Sequence, residues 1–399
     1  MEGLFKTVKQ IKSMLLSFHR KRGYEIFNSF PLISQDPTVM FINATITPFK
    51  HCFVSDRNPK DYAFIQRCFR MGGASELKLV GTNPYYHTFF EMFGSGAFSI
   101  GYEKAVSYLL DLLGFLALEE EKIYFAVPEG REFKNSLMVN GINSSKIFSL
   151  KGEDIFWQEW RFGRLGPVGK GLTVVYSRSP QKINSLRQIT KGSDEFVELA
   201  NLIYVYGKET TDGSIVPAKN SGFEFAVGIE RLAAVLQNCN NYQIDTISPL
   251  IQLIADFFRE RGYSADEAII RLLADHLRTT CILIDEGLSP SNKMHGYALR
   301  KLIRRILENC WLVFNRISPI EPLIEQFCCQ FNKCSGDEIT PEKAIAFIAE
   351  ETKAFMKAVE RGRKILNKNP SISPTVLLDT YGLPKSLIPI IGKGEENEH

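Results

Sequence analysis

No apolar run in this 399-residue chain reaches the ~20 residues that a bilayer-crossing helix needs. The N-terminal stretch MEGLFKTVKQIKSMLLSFHRKRGYEIF is interrupted by Lys6, Lys9 and Lys12. It reads as an amphipathic helix rather than a signal peptide, and no membrane association is expected. A G-x-x-x-x-G-K-[ST] loop is missing, and no G-x-G-x-x-G turn follows a strand, which excludes two common phosphate-cradling loops. The eight cysteines include no C-x-x-C pair, and Cys328, Cys329 and Cys334 have no matching His/Cys pair. Reduced thiols in a cytoplasmic protein, with no structural zinc, are the expectation. One-signed charge is also lacking: 48 Lys and Arg face 45 Asp and Glu, a net charge of +3. Any contact with nucleic acid must therefore come from a local patch.

What is present is an ordinary globular balance, 44% apolar and 23% charged, over a length that suits two or three domains. Leu4, Val8, Ile11, Leu15 and Phe18 recur at helical spacing. Pro31, Pro37 and Pro48 then break the chain into strand pieces and turns. Residues 64–101 suggest two extended segments around a glycine-rich loop, and residues 103–116 a helix. Between 120 and 220 the runs KIYFAV, LTVVYS and FVELANLIYVYG alternate with turns, as in a largely antiparallel sheet. From Gly228 onward the pattern is helical: IERLAAVLQ, SPLIQLIADFFRERG, ADEAIIRLLADHLRTTCILIDEG, GYALRKLIRRILENCWLVF and PEKAIAFIAEETKAFMKAVERGRKILNK. An α+β fold is expected, with a β-rich domain over 1–245, a helical domain over 246–391 and a frayed tail over 392–399.

Two arginines sit beside glycines. Arg70 precedes Gly72 and Gly73, and Arg231 lies one turn after Gly228. A planar guanidinium next to flexible backbone can approach a phosphate, and two of them could clamp a polyphosphate. Surface salt bridges fit the same spacing. Tyr85, Tyr86, Phe89 and Phe90 surround His87, which suits either purine stacking or a strand of buried rings. Arg300, Lys301, Arg304 and Arg305 form a basic helix face, suited to an RNA backbone or simply to solvent.

Taken in order, DPTVMFINATITPFK, QRCFRMGG, HTFFEMFG, DIFWQEW, VGIERLAAVLQ with NNYQIDTI, ADHLRTTCILIDEGLSPSN, GYALRKLIRRIL and LLDTYGLP resemble one family. That family is the alanyl-tRNA synthetases, class II aminoacyl-tRNA synthetases, in their catalytic and acceptor-stem-binding part. The resemblance implies an antiparallel sheet flanked by helices that binds ATP with Mg2+ and a small amino acid. It implies formation of an aminoacyl adenylate and transfer to the 3′ end of tRNA. By position, Arg70 resembles the motif 2 arginine that bridges carboxylate and α-phosphate, and Arg231 the motif 3 arginine on the terminal phosphates. The same correspondence puts His87, Phe90, Trp157, Leu199, Ala200, Asn201 and Gly228 at the ATP site. Trp157, Asn201, Ile203, Glu224 and Ala226 fall at the amino-acid site. Asn292 and Asp379 match the pair that reads a G·U wobble in the acceptor stem, with Arg300, Arg304 and Arg305 as backbone contacts.

Departures from the family pattern cluster at the amino-acid site. Where the family has DTGMG, this chain has Glu224-Phe225-Ala226-Val227-Gly228, and Ile203 stands in place of valine. All three changes add volume, so a tighter pocket favouring alanine or glycine over serine is expected, against unchanged alanine specificity as the alternative. GGASELKLVG lacks the family's lysine, GPVGKGLT lacks the cysteines and glutamate of GPCGPCTE, and Ala200 replaces a tryptophan. Without an HxxxH site or the family's further domains, no editing in cis and a monomer are expected. A paralogue serving another amino acid or a biosynthetic pathway, and a non-catalytic tRNA-binding protein, stand as alternatives.

Overall fold

The computed structural model describes residues 6–72, 74–149, 159–178, 195–316 and 318–391. The chain packs as two compact units, Met1–Phe69 with Phe90–Ile244 and Arg70–Phe89 with Asp245–His399. A simple division at 245 places Arg70–Phe89 with the sheet; it groups instead with the helical unit.

Among the described residues, the first unit is built on a nine-stranded sheet. Its strands are β1 (Glu25–Phe27), β2 (Tyr62–Phe69), β3 (Phe89–Phe98), β4 (Ile123–Val127), β5 (Ile147–Ser149), β6 (Trp160–Arg161), β7 (Pro167–Ser177), β8 (Phe196–Glu209) and β9 (Ile215–Gly228). They lie in the order β1-β2-β3-β9-β8-β7-β4-β5, with β6 paired to β7. The β3–β9, β9–β8, β8–β7 and β7–β4 pairs are antiparallel, as expected. The end pairs β1–β2 and β4–β5 are parallel. Parallel partners need a crossover, and the helix Glu132–Val139 lies between β4 and β5 in the chain. The β8–β9 hairpin turns at Thr210–Ser214, where Gly213 takes a positive φ of 83° and the Asp212 carboxylate accepts the Ser214 N–H at 3.1 Å.

The sequence pattern named no strand at β9. Phe223, Phe225 and Val227 point to one face, and Glu224, Ala226 and Gly228 to the other, with the period of two of a strand. The apolar face carries Phe93 and Phe223, which meet His19 of the helix Val8–Arg20 at 4.8 Å and Tyr108 of the helix Tyr102–Phe115 at 4.4 Å between ring centroids. The N-terminal helix forms as its spacing predicts, burying Val8, Ile11, Leu15 and Phe18. On the opposite face Ile46, Phe49 and Phe53 pack with Tyr62, Phe64, Phe98, Ile203 and Val205.

The second unit contains the helices Ser248–Arg259, Glu267–Asp285, Met294–Phe314, Glu321–Ser335, Glu342–Lys368 and Pro374–Tyr381. Four match the expected helical runs. Glu321–Ser335 was not anticipated, although Leu323, Ile324, Phe327, Cys328 and Phe331 carry the helical stripe and Gly336 ends it in a left-handed cap.

Gly222 tests the sheet register. It pairs with Phe98 of β3, and a methyl group there would overlap the Ala97 carbonyl. Gly222→Ala is expected to lower the urea midpoint, by about 1–3 kcal/mol of stability; an unchanged midpoint would mean a different strand spacing.

Candidate active site

Register sets which side chains share the polar face of the sheet. Asn201 of β8 stands opposite Ala226 of β9, and Ile203 opposite Glu224. On the other flank of β9, Gly94 stands opposite Ala226, and Gly96 opposite Glu224. These glycines have a steric purpose. A Cβ on Gly94 would overlap Thr45, and one on Gly96 would overlap the Tyr62 ring. Glycine at both places lets Thr45 and Tyr62 lie directly on the sheet above Glu224.

Glu224 is 2% exposed, and the Thr45 hydroxyl donates to its Oε1. Its added methylene is thus accommodated by tucking the carboxyl under Thr45. Burial raises its pKa from 4.5 to about 7, with the Thr45 hydrogen bond working in the opposite direction. Ala226 and Asn201 are half-buried, while Ile203 is buried in the aromatic cluster.

At the end of β9, Gly228 caps the helix Ile229–Leu236 and Arg231 lies in its first turn. Arg231 donates to the Glu198 carbonyl at 3.0 Å, and its Nη1 stands 3.5 Å from the Glu198 carboxylate. Asn201 donates to that same carboxylate at 3.0 Å and accepts from Thr173 at 2.7 Å. Glu198, missed from sequence, therefore ties Arg231 to Asn201. A signal existed, since it lies three residues before Asn201. The helix is also held to β3: the Glu230 carboxylate accepts the Glu91 N–H at 3.1 Å. Phe90 is half-buried. Leu199 and Ala200, each 2% exposed, are core side chains and offer only backbone to a ligand. Trp157 lies outside the described residues.

In the second unit Arg70 is exposed, and its backbone N–H donates to the Thr88 carbonyl at 2.9 Å. His87 is buried, with Nδ1 at 3.3 Å from Asp275. Burial opposes ionisation of Asp275, but hydrogen bonds from His276 and His87 prevail and hold its carboxyl well below the usual range. Arg305 donates to His276 Nε2 at 3.0 Å, which leaves the ring proton on Nδ1, facing Asp275. Arg305 also donates to the Leu77 carbonyl at 3.1 Å. Both contacts lie inside the unit, and the Arg305 side chain is half-buried. Arg300 and Arg304 converge on Glu351, at 2.9 and 3.3 Å, and Arg300 also donates to Asn292. Asn292 and Asp379 are exposed, the latter on the helix Pro374–Tyr381. Among the described residues, no three His, Cys, Asp or Glu side chains gather as a metal site.

Residues 10–397 match the family model described as tRNA synthetases class II (A). The chain belongs to that family. It is 28% identical to an alanine-tRNA ligase of Campylobacter jejuni, over 94% of this chain and 46% of the relative. It is 32% identical to one of Parvibaculum lavamentivorans, over 95% of this chain and 45% of the relative. The chain thus spans about half the length of these curated relatives. A crystal structure of apo S. aureus histidyl-tRNA synthetase aligns at 12% identity and a TM-score of 0.35, over 65% of this chain and 77% of that one.

For this class II synthetase chain the buried Glu224 carries a measurable consequence. Between about pH 4.5 and about 7 the folded chain binds the Glu224 proton more tightly than the unfolded chain, so the group lowers stability as pH rises. Glu224→Gln removes that dependence. In urea titrations the variant is expected to gain on the parent as pH is raised through this range, by up to about 3 kcal/mol, and to match it below. Parallel curves at all pH values would mean that Glu224 is solvated.

Proposed function

We propose that the chain activates a small amino acid, alanine foremost, and transfers it to the 3′ end of an alanine-type tRNA. The observation that carries this reading is the shared sheet face. Glu224 and Ala226 stand opposite Ile203 and Asn201, and Arg231 is joined to Asn201 through Glu198. An α-ammonium suits Glu224, and a side chain no larger than a methyl suits the space beside Ala226. A phosphate suits Arg231, whose fork is fixed by Glu198.

In the first step a substrate carboxylate oxygen attacks the α-phosphorus of ATP, and pyrophosphate leaves. In the second, a terminal tRNA hydroxyl attacks the acyl carbon, and AMP leaves. Arg70, by family position, meets the carboxylate and α-phosphate, and Arg231 the terminal phosphates; both stabilise charge as it moves. Glu198, half-exposed on this face, would be the carboxylate to hold Mg2+, which would offset charge on the phosphates of ATP. His87 and Phe90 complete the ATP region by the same family correspondence. Asn292 and Asp379 read the G·U pair of the acceptor stem; the Arg300 hydrogen bond that orients Asn292 supports this role. Arg304, half-exposed beside Arg300, faces the RNA backbone.

A second reading, activation of glycine, is favoured by one observation: the Ala226 methyl stands beside Asn201 on the face they share. One methylene separates the two substrates by about 1–3 kcal/mol.

Amino-acid-dependent ATP–pyrophosphate exchange, run over the full set of amino acids, tests the proposal. Alanine is expected to give the largest kcat/KM. Arg231→Ala is expected to lower exchange at least about 100-fold. Asp379→Ala is expected to leave exchange within about twofold while tRNA charging falls by about tenfold, the worth of a lost base-pair contact. Exchange with no amino acid contradicts the proposal, and exchange with glycine alone selects the second reading.

A further inference from the structure

Thr45 is buried completely within the stretch DPTVMFINATITPFK, which carries none of the site residues named from sequence, and belongs to the segment that packs over the sheet. Its hydroxyl donates to Glu224 Oε1 and stands 3.8 Å from the Met92 sulfur. Its methyl and Cβ fill the space left by Gly94, which pairs with Ala226. One side chain thus touches the carboxyl of Glu224 and closes the sheet beside the Ala226 methyl.

We infer that Thr45 is the positioning residue for amino-acid binding: it fixes one oxygen of the Glu224 carboxyl so that the other faces the incoming amine. This rests on the reading of Glu224 as the ammonium partner. The geometry explains why a hydroxyl is needed there. A carboxylate without water around it is stable only where donors replace that water. Among the described residues, the other titratable groups that feel Glu224 are Tyr62 of β2, on the same face, and Tyr108 of the helix Tyr102–Phe115, across the sheet; burial pushes both phenols well above their usual range, so neither carries charge near neutrality. The Thr45 hydroxyl is the contact that favours the ionised carboxyl; burial outweighs it, and the net pKa is about 7. An ammonium binds the ionised form, so the KM for the amino acid is expected to fall as pH rises toward that value and then level.

Thr45→Val keeps the shape and removes the hydroxyl; Thr45→Ser keeps the hydroxyl and removes the methyl. In the full chain, Thr45→Val is expected to raise the KM for alanine about tenfold at neutral pH, with kcat within about twofold, the loss expected for a hydrogen bond to a charged group. The midpoint of the KM–pH curve is expected to move up by about one pH unit, and Thr45→Ser to restore it. Infrared titration of the protonated carboxyl band, assigned by its loss in Glu224→Gln, should show the same shift without any substrate. An unmoved infrared midpoint in Thr45→Val overturns the inference, as does a moved midpoint with an unchanged KM curve. If the parent chain gives no exchange with any amino acid, the proposed function fails. A moved infrared midpoint then still upholds the Thr45 grip on Glu224, and an unmoved one overturns that too.

Discussion

A carboxyl group held out of water on the face of a β-sheet is the constraint around which the first unit is arranged. Glu224 needs cover, and the cover is Thr45 and Tyr62, lying where Gly94 and Gly96 leave room. That cover needs a platform in turn, and the ring cluster of Phe49, Phe53, Phe64 and Phe98 provides it; Phe49 stacks on Tyr62 at 3.7 Å between centroids. Small residues, one hydroxyl and a block of aromatics thus set how readily a single proton leaves.

The same strand carries the consequence along the sheet. β9 places Glu224, Ala226 and Gly228 in a row with a period of two, then turns into the helix that presents Arg231. β8 answers with Ile203 and Asn201 in register, and Glu198 closes the row by bonding both Asn201 and Arg231. A carboxyl, a methyl beside Asn201 and a guanidinium therefore follow one another along this face. An amino acid joined to a phosphate has the same order of groups.

Much of this was legible in the residues, for identifiable reasons. Long helices such as Met294–Phe314 and Glu342–Lys368 announce themselves through apolar periodicity, which packing reinforces. Arg231 was marked by its place after Gly228. What escaped depends on contacts distant in sequence. Thr45 and Glu224 are 179 positions apart, and no local pattern links them. Glu198 gains its role only when the helix after β9 brings Arg231 to it. Arg305 is similar: helical spacing put it on a basic face, but could not show that it also donates to a buried histidine and a backbone carbonyl. The parallel pairing of the end strands was likewise not legible, because β1 and β5 are three residues each.

The central claim is that the polar face of β8 and β9 binds an aminoacyl phosphate through Glu224 at one end and Arg231 at the other. A crystal structure of the full chain with a non-hydrolysable alanyl-adenylate analogue tests it most directly. The analogue's amine is expected within hydrogen-bonding distance of Glu224, its methyl against Ala226, and its phosphate-derived group on the Arg231 side of Asn201. An analogue bound on that face with its amine away from Glu224, or bound elsewhere on the chain, would contradict it.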